Sequence, residues 1–401
     1  MAQPLISIAA ARERVLAHAA RMPSEQIGVQ DALDRVLAEA VRAVGDVPPF
    51  PCSAMDGYAI VAGPAERALT VVDESRAGAP SPRRLRDGEA IRISTGAAVP
   101  AGATAVIRQE DVETDGDERI RTHADVAPGM HVRDAGEDMR AGTLVLPAGT
   151  RLGPAELGAV VAAGAGTVIV ARKPRVSVLC TGDELRAPGE PLRPGEIHNS
   201  NAPMLEALAQ HSGASAAPAT RLPDDRDATE AALATAIERS DVVLITGGVS
   251  VGPHDHVKPA LAALGVSEEF WGVSLQPGKP TWFGTKGAAL VFGLPGNPVS
   301  AVVTFSLFAH PALAAMLGTP PAAMRDTNAV LGEDVRRNPG REQALRVRLE
   351  PRDGELVAVP NGAQGSHILT SLIGADALAL IPIGEGSLAA GTCVHLEYLA
   401  R

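Results

Sequence analysis

The chain has 401 residues, enough for roughly two to four domains, and its 45% of apolar and 21% of charged residues exclude wholesale disorder and collagen-like structure. The formal net charge is -11 and aromatic residues make up only 2%, so the basic surface and stacking side chains that nucleic-acid binding usually needs are lacking. The 3 cysteines, Cys52, Cys180 and Cys393, show no CxxC spacing, which argues against a disulfide framework and a zinc site.

The first segment of the chain has a helical pattern. Residues 7–43 carry apolar side chains at helical spacing on both sides of Pro23, so two helices are expected there. Arg12 and Glu13 directly follow the first apolar residues and interrupt what would be the core of a signal peptide. A cytoplasmic protein is therefore predicted.

The second segment, residues 46–132, holds short apolar runs between glycine and proline clusters, which predicts a small β-rich domain. Helical spacing resumes after Thr150, with Pro154 at an expected first turn. We therefore predict a discontinuous helical domain, residues 1–45 and 133–173, that is interrupted by the β-rich insertion. Residues 157–171 are the most apolar stretch, but they fall short of the roughly 20 residues that cross a bilayer, so no membrane span is expected.

The remaining chain predicts two further domains. Apolar runs of strand and helix length alternate over residues 174–324, which favours βαβ units and a mainly parallel sheet. Residues 325–401 hold short alternating strands with glycine-rich connections, which is typical of a small β-barrel. The predicted fold class is multidomain α/β plus β.

A glycine-rich motif follows the apolar run at residues 242–245. It reads Thr-Gly-Gly-Val-Ser-Val-Gly over residues 246–252. Glycines at the carboxyl end of a parallel strand let backbone N–H groups approach a phosphate closely, and the hydroxyl of Ser250 can add to them. A tight turn between strand and helix without any ligand explains the same pattern.

Acidic residues follow a neighbouring predicted strand. Asp183 and Glu184 come after Thr181 and Gly182, at the end of the first strand of the α/β segment. Because the carboxyl ends of parallel strands converge, both can share a site with Ser250 and Asp255. Such carboxylates suit either a divalent cation or the N–H edge of a heterocycle, whereas Asp183 can also serve as a plain helix cap. Asp225 is a further possible Mg²⁺ ligand.

Two proline-flanked turns and one β-rich motif complete the set of candidates. Pro277, Gly278 and Pro280 hold Lys279 in one place, which suits either an anionic ligand or a solvated turn. The turn at residues 293–298 closes a predicted buried strand. Asp56 precedes a glycine in the β-rich segment, where Asp-Gly alone indicates only a turn.

Taken together, eight motifs in order resemble the molybdopterin molybdenumtransferase family, which includes MoeA and the E domain of gephyrin. The resemblance runs from about Asp46 to His367. Its motifs are residues 50–59 with the core Ser-Ala-Met-Asp-Gly-Tyr-Ala, Arg-Ile-Ser-Thr-Gly-Ala at 92–97, Gly-Glu-Asp at 136–138, Thr-Gly-Asp-Glu-Leu at 181–185, Gly-Gly-Val-Ser-Val-Gly at 247–252, Pro-Gly-Lys-Pro at 277–280, Leu-Pro-Gly-Asn-Pro-Val-Ser at 294–300 and Gln-Gly-Ser-His at 364–367.

The resemblance implies a four-domain homodimer that inserts molybdate into the dithiolene of adenylylated molybdopterin, with Mg²⁺ assisting, and releases AMP. Molybdopterin adenylyltransferase, which performs the preceding step, is an implied partner. The catalytic candidates are Asp56, Asp183, Asp255 and Lys279, with Asp56 and Thr95 acting from the opposite subunit. The matched pterin-nucleotide positions are Thr181, Gly182, Glu184, Gly247, Gly248, Ser250, Gly252, Pro295, Gly296 and Asn297. The matched molybdate positions are Arg341, Arg346 and Ser366, and Asp138 matches a family carboxylate of no derived role.

Two positions depart from the family pattern. The family often has a lysine where Gln276 stands and Asp-Asn where Pro51 and Cys52 stand. The loss of a cation at position 276 predicts weaker oxyanion binding, unless Arg341 and Arg346 supply the charge. Two other functions compete with the implied one: molybdopterin adenylyltransferase, which the α/β segment also resembles, and a gephyrin-like scaffold.

Overall fold

A computed structural model describes residues 5–248, 256–319 and 327–399. The chain divides into two compact units. The larger unit comprises Met1–Glu25, Asp34–Ala38 and Val170–Arg401, and the β-rich unit comprises Gln26–Leu33 and Glu39–Ile169.

The helices begin with α1, which the side chain of Ser7 caps by accepting the N–H of Ala10. Their bounds are α1 (Ile8–His18), α2 (Pro154–Ala162), α3 (Asn201–His211), α4 (Arg226–Arg239), α5 (Val257–Ala263), α6 (Pro298–Thr304) and α7 (His310–Leu317).

The strands are numbered in chain order. Those up to residue 171 are β1 (Ser24–Gly28), β2 (Val41–Arg42), β3 (Cys52–Ser53), β4 (Gly57–Ile60), β5 (Ala68–Ser75), β6 (Glu89–Ile93), β7 (Ala105–Arg108), β8 (Val112–Asp115), β9 (Arg119–Thr122), β10 (Val132–Arg133), β11 (Leu144–Leu146) and β12 (Thr167–Ala171). The later strands are β13 (Arg175–Thr181), β14 (Leu185–Arg186), β15 (Ile197–His198), β16 (Ser215–Ala216), β17 (Thr220–Leu222), β18 (Val242–Thr246), β19 (Ser267–Trp271), β20 (Leu275–Gln276), β21 (Trp282–Lys286), β22 (Ala289–Leu294), β23 (Asn328–Leu331), β24 (Val335–Arg336), β25 (Glu342–Arg352), β26 (Glu355–Pro360), β27 (Ala377–Ile381), β28 (Ser387–Leu388) and β29 (Cys393–Tyr398).

A six-stranded sheet forms the core of the β-rich unit, in the order β7-β4-β6-β5-β9-β8. Strand β4 is buried along its whole length between β6 and β7, and its own Ile60 is fully buried, as are Ile91 on β6 and Ile107 on β7. This arrangement accounts for the short apolar runs of residues 46–132.

The second helix predicted within residues 7–43 is wrong. The chain forms strand β1, a short 3₁₀ turn at Val29–Asp31 and isolated bridges there. Asp34 adopts a positive φ of 62°, a conformation that no right-handed helix contains, so the apolar spacing of Leu33, Val36 and Leu37 does not reflect a helix. In the described residues, the α-helices of 1–45 and 133–173 are α1 and α2.

The α/β part of the larger unit is built on one sheet in the order β16-β13-β18-β22-β21-β19, with β17 also paired to β13. Strands β13, β18 and β22 run parallel, whereas β19 and β21 add antiparallel pairs at one edge. Along β18, Val242 and Leu244 pack into one apolar core, and Val243 and Ile245 pack into another. Both faces of the sheet are therefore covered, as expected for a parallel sheet.

The most apolar helical segment of the described residues is Pro298–Leu317, which consists of α6, a π-helical turn at Phe305–Ala309 and α7. It is long and apolar enough to cross a membrane, but 89% of its most apolar window is buried inside the fold. Phe305 and Phe308 lie in the same core as Phe292 of the sheet. The segment is a core helix of the larger unit.

The C-terminal part closes into a five-stranded barrel. Strands β25, β26, β23, β29 and β27 follow one another, and β25 also pairs with β27, which closes the ring. Strand β20 extends this sheet by pairing in parallel with the start of β25. Helix α1 is fastened to the barrel by Arg12, whose guanidinium lies 2.6 Å from the buried carboxylate of Glu397 on β29.

Candidate functional site

A cleft of about 630 Å³ lies at the carboxyl ends of β13, β18 and β22. Neighbouring strands are in register there, because Cys180 pairs with Thr246 and Thr246 pairs with Leu294. The loops that follow the three strands therefore meet at one edge of the sheet, which is the usual ligand site of an open parallel sheet. They contribute Thr181, Gly182, Glu184, Thr246, Gly247, Gly248, Pro295, Gly296 and Asn297 to the lining.

The two glycines after β18 are required by close packing. Gly247 and Gly248 have φ angles of 82° and 62°. A Cβ atom on Gly247 would lie 2.6 Å from Oγ1 of Thr181 and 2.9 Å from its carbonyl oxygen, closer than atoms can pack. The first two loops consequently pack too closely for a side chain at Gly247, whose own N–H donates to the carbonyl of Leu294.

Asn201 joins the second and third loops. Its Nδ2 atom donates to Oγ1 of Thr246 at 2.8 Å and to the carbonyl of Gly296 at 2.7 Å. The hydroxyl of Thr246 in turn donates to the carbonyl of Pro295. No sequence pattern singles out Asn201, although it begins helix α3 at the rim of the same cleft. Its amide keeps two ligand-facing loops in fixed relation.

Charge in the cleft is mostly negative among the described lining residues. Glu184 and Asp224 line it, and His256 is the basic side chain there. Asp183 is exposed, and its carboxylate lies 3.4 Å from the backbone nitrogen of Asp224. An anionic ligand in this cleft needs compensating positive charge from its edge or from a cation.

Asp225, the possible Mg²⁺ ligand, caps a helix. It is the N-cap residue of α4, and its Oδ1 accepts the N–H of Ala228 at 2.8 Å. This role satisfies one of the unpaired N–H groups at the helix start. Within the described part of the chain, no group of three or more His, Cys, Asp and Glu side chains is placed to hold a metal ion.

Lys279 stands on a rigid turn at the edge of the cleft. The turn is packed tightly at Gly278, where a Cβ atom would lie 2.7 Å from Cγ2 of Thr304. Thr281 donates to the carbonyl of Gly278, and Pro280 lines the cleft. The ammonium of Lys279 is exposed and has no hydrogen bond or ion pair to the described residues, so it is free to bind an anion.

The barrel brings Ser366 to the cleft. Asn297 donates from Nδ2 to the hydroxyl of Ser366 at 3.1 Å, so a residue of the third strand-end loop and a residue of the barrel lie together. One pterin-nucleotide candidate and one molybdate candidate, Asn297 and Ser366, are thus in contact.

Arg346 is fully buried behind the loop that carries Ser366. Its Nε donates to Oγ of Ser371 at 3.1 Å, and its Nη2 donates to the carbonyls of Gly365 at 3.2 Å and Ala363 at 3.4 Å. Burial lowers the pKa of the guanidinium to about 10, so the group still carries its charge at neutral pH. Nη1 has no hydrogen-bond partner among the described residues.

Arg341, by contrast, is half-buried, and its guanidinium has no hydrogen bond or ion pair to the described residues. Arg341 is the last residue of the turn at residues 338–341 and directly precedes β25. Gln276 lies on β20 directly beside this turn and bonds to Asn338.

The other sequence candidates fall elsewhere. Asp56 and Thr95 belong to the β-rich unit, where Oδ1 of Asp56 accepts the N–H of Thr95 at 2.7 Å. Asp138 lines a separate cavity of about 530 Å³ in that unit, beside Cys52 and Arg133. Ser250, Gly252 and Asp255 lie outside the described residues.

Comparison with known proteins identifies relatives along most of the chain. Three family models match in order: the MoeA N-terminal region (domain I and II) at residues 6–164, a probable molybdopterin binding domain at 177–315 and the MoeA C-terminal region (domain IV) at 328–399. The molybdopterin molybdenumtransferase of Haemophilus influenzae is 34% identical over 382 residues, which is 93% of either chain. Molybdopterin molybdenumtransferase 2 of Mycobacterium tuberculosis is 36% identical over 370 residues, covering 89% of this chain and 90% of the relative.

A solved structure shows the same fold. The molybdopterin biosynthesis MoeA protein of Pyrococcus horikoshii OT3 superposes with a TM-score of 0.81 at 32% identity. The match covers 98% of this chain and 100% of the Pyrococcus chain.

Proposed function

Since this chain belongs to the molybdopterin molybdenumtransferase family, and is thus a transferase of molybdenum cofactor biosynthesis, we propose that it inserts molybdate into adenylylated molybdopterin and releases AMP. The two dithiolene sulfurs replace an oxygen ligand of molybdate, and that oxygen leaves with the two thiol protons as water. One water is consumed as the P–O bond of the phosphoanhydride is hydrolysed and AMP is released. The molybdenum is not reduced, so no electron donor is required.

The observation that carries the proposal is the meeting of two groups of residues at one cleft edge. Glycine loops at the ends of β13 and β18 suit a phosphate-linked nucleotide. Lys279 supplies a free cation, and the bond from Asn297 to Ser366 places a barrel hydroxyl beside the nucleotide loops. A cleft of about 630 Å³ is large enough for a nucleotide-sized ligand.

Arg341, Arg346 and Ser366 are the proposed molybdate residues. The free guanidinium of Arg341 is suited to bidentate contact with an oxyanion. Arg346 contributes by holding the carbonyls of Ala363 and Gly365, which fixes the loop that carries Ser366. Lys279 is proposed to neutralise the phosphate charge that develops as the P–O bond breaks.

Mg²⁺ is proposed to assist at the acidic side of the cleft. Glu184 and Asp224 line the cleft and Asp183 lies beside Asp224, and Mg²⁺ in nucleotide sites is commonly held by one or two carboxylates together with phosphates. Such a donor set fits the residues present, with Asp183 and Glu184 as the proposed ligands. Bound Mg²⁺ would neutralise phosphate charge.

The proposal extends to the assembly and location of the protein. We infer a cytoplasmic homodimer in which Asp56 of the partner subunit completes the site and Asp255 acts in catalysis. Molybdopterin adenylyltransferase is the proposed supplier of the substrate, since its product is the adenylylated pterin.

Release of AMP from purified enzyme and adenylylated molybdopterin tests the proposed reaction. AMP should appear only when molybdate and Mg²⁺ are both present. AMP release that ignores molybdate would contradict the proposal. Formation of adenylylated molybdopterin from ATP and molybdopterin would instead identify an adenylyltransferase.

A further inference from the structure

Gln276 takes part in a chain of amide hydrogen bonds beside the proposed oxyanion residues. It lies on β20, which pairs in parallel with Glu342 and Gln343 at the start of β25. Its Oε1 accepts a hydrogen bond from Nδ2 of Asn338 at 2.5 Å. The position at which the family resemblance implies a lysine therefore holds an acceptor in this chain.

Asn338 shapes the turn that leads to Arg341. Its Oδ1 accepts the backbone N–H of Gly340 at 2.8 Å and that of Arg341 at 3.1 Å. Because these two donors fix which end of the amide is the oxygen, Nδ2 has to face Gln276. Gln276 in turn has to offer its oxygen, since an amide nitrogen cannot accept.

The turn at residues 338–341 also packs on the segment before Lys279. The hydroxyl of Ser274 donates to the carbonyl of Gly340 at 3.1 Å, and the backbone N–H of Glu342 donates to the carbonyl of Ser274 at 3.0 Å. Arg341 therefore lies on a turn whose shape depends on contacts from both sides. Its own guanidinium makes no bond to the described residues that would hold it in place.

We propose that Gln276 is a positioning residue for Arg341, acting through Asn338. The proposal rests on the proposed function, in which Arg341 binds the oxyanion. Gln276 fixes the Asn338 amide, the Asn338 amide fixes the backbone of Arg341, and the backbone aims the guanidinium at molybdate. A lysine at position 276 has three donors and no acceptor, so it would leave Nδ2 of Asn338 without its partner.

Gln276→Met isolates the link, since methionine has a similar length and no charge or strong acceptor. The half-saturating molybdate concentration for AMP release should rise about fivefold, because Arg341 is less well aimed, while kcat stays within about twofold. Gln276→Lys is less informative, because the gain of a cation opposes the loss of the link. Gln210→Met, at an exposed glutamine on α3, is the matched control and should change neither quantity.

A double-mutant cycle tests whether Gln276 acts through Asn338. Asn338→Ala removes both hydrogen-bonding ends of the link and should raise the half-saturating molybdate concentration about tenfold. Adding Gln276→Met to Asn338→Ala should then cost less than about twofold more, since the link is already gone. Equal effects of Gln276→Met in both backgrounds would overturn the proposal.

Two further measurements separate this role from others. An unchanged half-saturating molybdate concentration in Gln276→Met, or a fall in Tm accompanied by equal losses in all kinetic constants, would also overturn the positioning role. Calorimetric titration of molybdate onto wild type and Gln276→Met should show the same fivefold difference. Because the titration needs no turnover, it tests the positioning role even when wild type releases no AMP, an outcome that would contradict the proposed function alone.

Discussion

At the scale of single residues, the three cationic side chains proposed to act at the cleft differ in their exposure to solvent. The side chains of Lys279 and Arg341 make no bond to the described residues. Arg346 is fully buried, and its Nε and Nη2 atoms donate to Ser371 and to two backbone carbonyls. The first two are therefore available for a ligand without cost to the fold. The third contributes to stability.

Lys279→Ala should weaken substrate binding without unfolding the protein. The free energy of unfolding should change by less than about 0.5 kcal/mol, as for other exposed side chains. Loss of a charge-assisted hydrogen bond, worth roughly 1.5 to 3 kcal/mol, should raise the KM for adenylylated molybdopterin tenfold or more. Thermal unfolding and AMP release measure the two effects, with the exposed Lys286→Ala as control. A large loss of Tm would show that Lys279 is structural.

Arg341→Lys and Arg346→Lys should fail in different ways. Lysine keeps the charge but cannot span several acceptors, so Arg346→Lys should lower the free energy of unfolding by about 2 to 3 kcal/mol. Arg341→Lys should leave stability unchanged and raise half-saturating molybdate, because bidentate contact is lost. Urea unfolding and molybdate titration distinguish them. Equal destabilisation by both substitutions would contradict the assignment.

At the scale of elements, one carboxylate ties the starts of two neighbouring strands. Asp241, directly before β18, binds the guanidinium of Arg172 at 3.1 and 2.9 Å and accepts the backbone N–H of Arg175 at 2.7 Å. Burial by itself raises the pKa of Asp241, but the hydrogen bonds from Arg172 and Arg175 outweigh it and hold the pKa below its ordinary value. The ionised carboxylate therefore stabilises the sheet.

Asp241→Asn should lower the free energy of unfolding by about 2 kcal/mol at pH 7, since bonds to a charged group are lost. A carboxyl with a depressed folded-state pKa stabilises above its unfolded pKa of about 4, and that contribution disappears as the pH falls through the lower folded value. The difference between wild type and variant should therefore narrow below about pH 4. Urea unfolding across that range tests it, with Asp353→Asn on an exposed turn as control. A difference independent of pH would contradict the prediction.

Elements with regular spacing were predictable, and those determined by single backbone angles were not. The strand at Arg175 and the helix ending at Leu317 follow from apolar runs between glycine and proline. The turn at Asp34 was missed because its positive φ leaves no pattern in apolar spacing. The antiparallel strands β19 and β21 were missed as well, since glutamates and a glycine interrupt their apolar residues.

The candidate site was predictable only as far as its motifs. Glycine turns at strand ends have a recognisable sequence pattern, so the loops around Thr181, Gly247 and Gly296 could be expected to meet. Asn201 and the bond from Gln276 to Asn338 depend on contacts between distant residues. No local pattern reports such contacts.

At the scale of the whole molecule, the proposed shared site predicts rescue between damaged chains. Mixing Asp56→Ala chains with Asp255→Ala chains should restore about a quarter of wild-type activity. Half of randomly formed dimers are mixed, and each mixed dimer has one intact site of two. Mixed dimers isolated by two affinity tags should have about half of wild-type activity, since one of their two sites is intact, and each parent dimer should be inactive. Mixed dimers without activity would contradict a shared site.

The bond from Arg12 to Glu397 joins residues 385 positions apart, and this separation orders events on the ribosome. The β-rich unit has all of its residues once Ile169 has emerged. At about 10 residues per second, Glu397 follows roughly 20 seconds later. For that interval the nascent chain can contain a folded β-rich unit while Arg12 on α1 still lacks Glu397. Translation speed therefore sets the earliest time at which this ion pair can form.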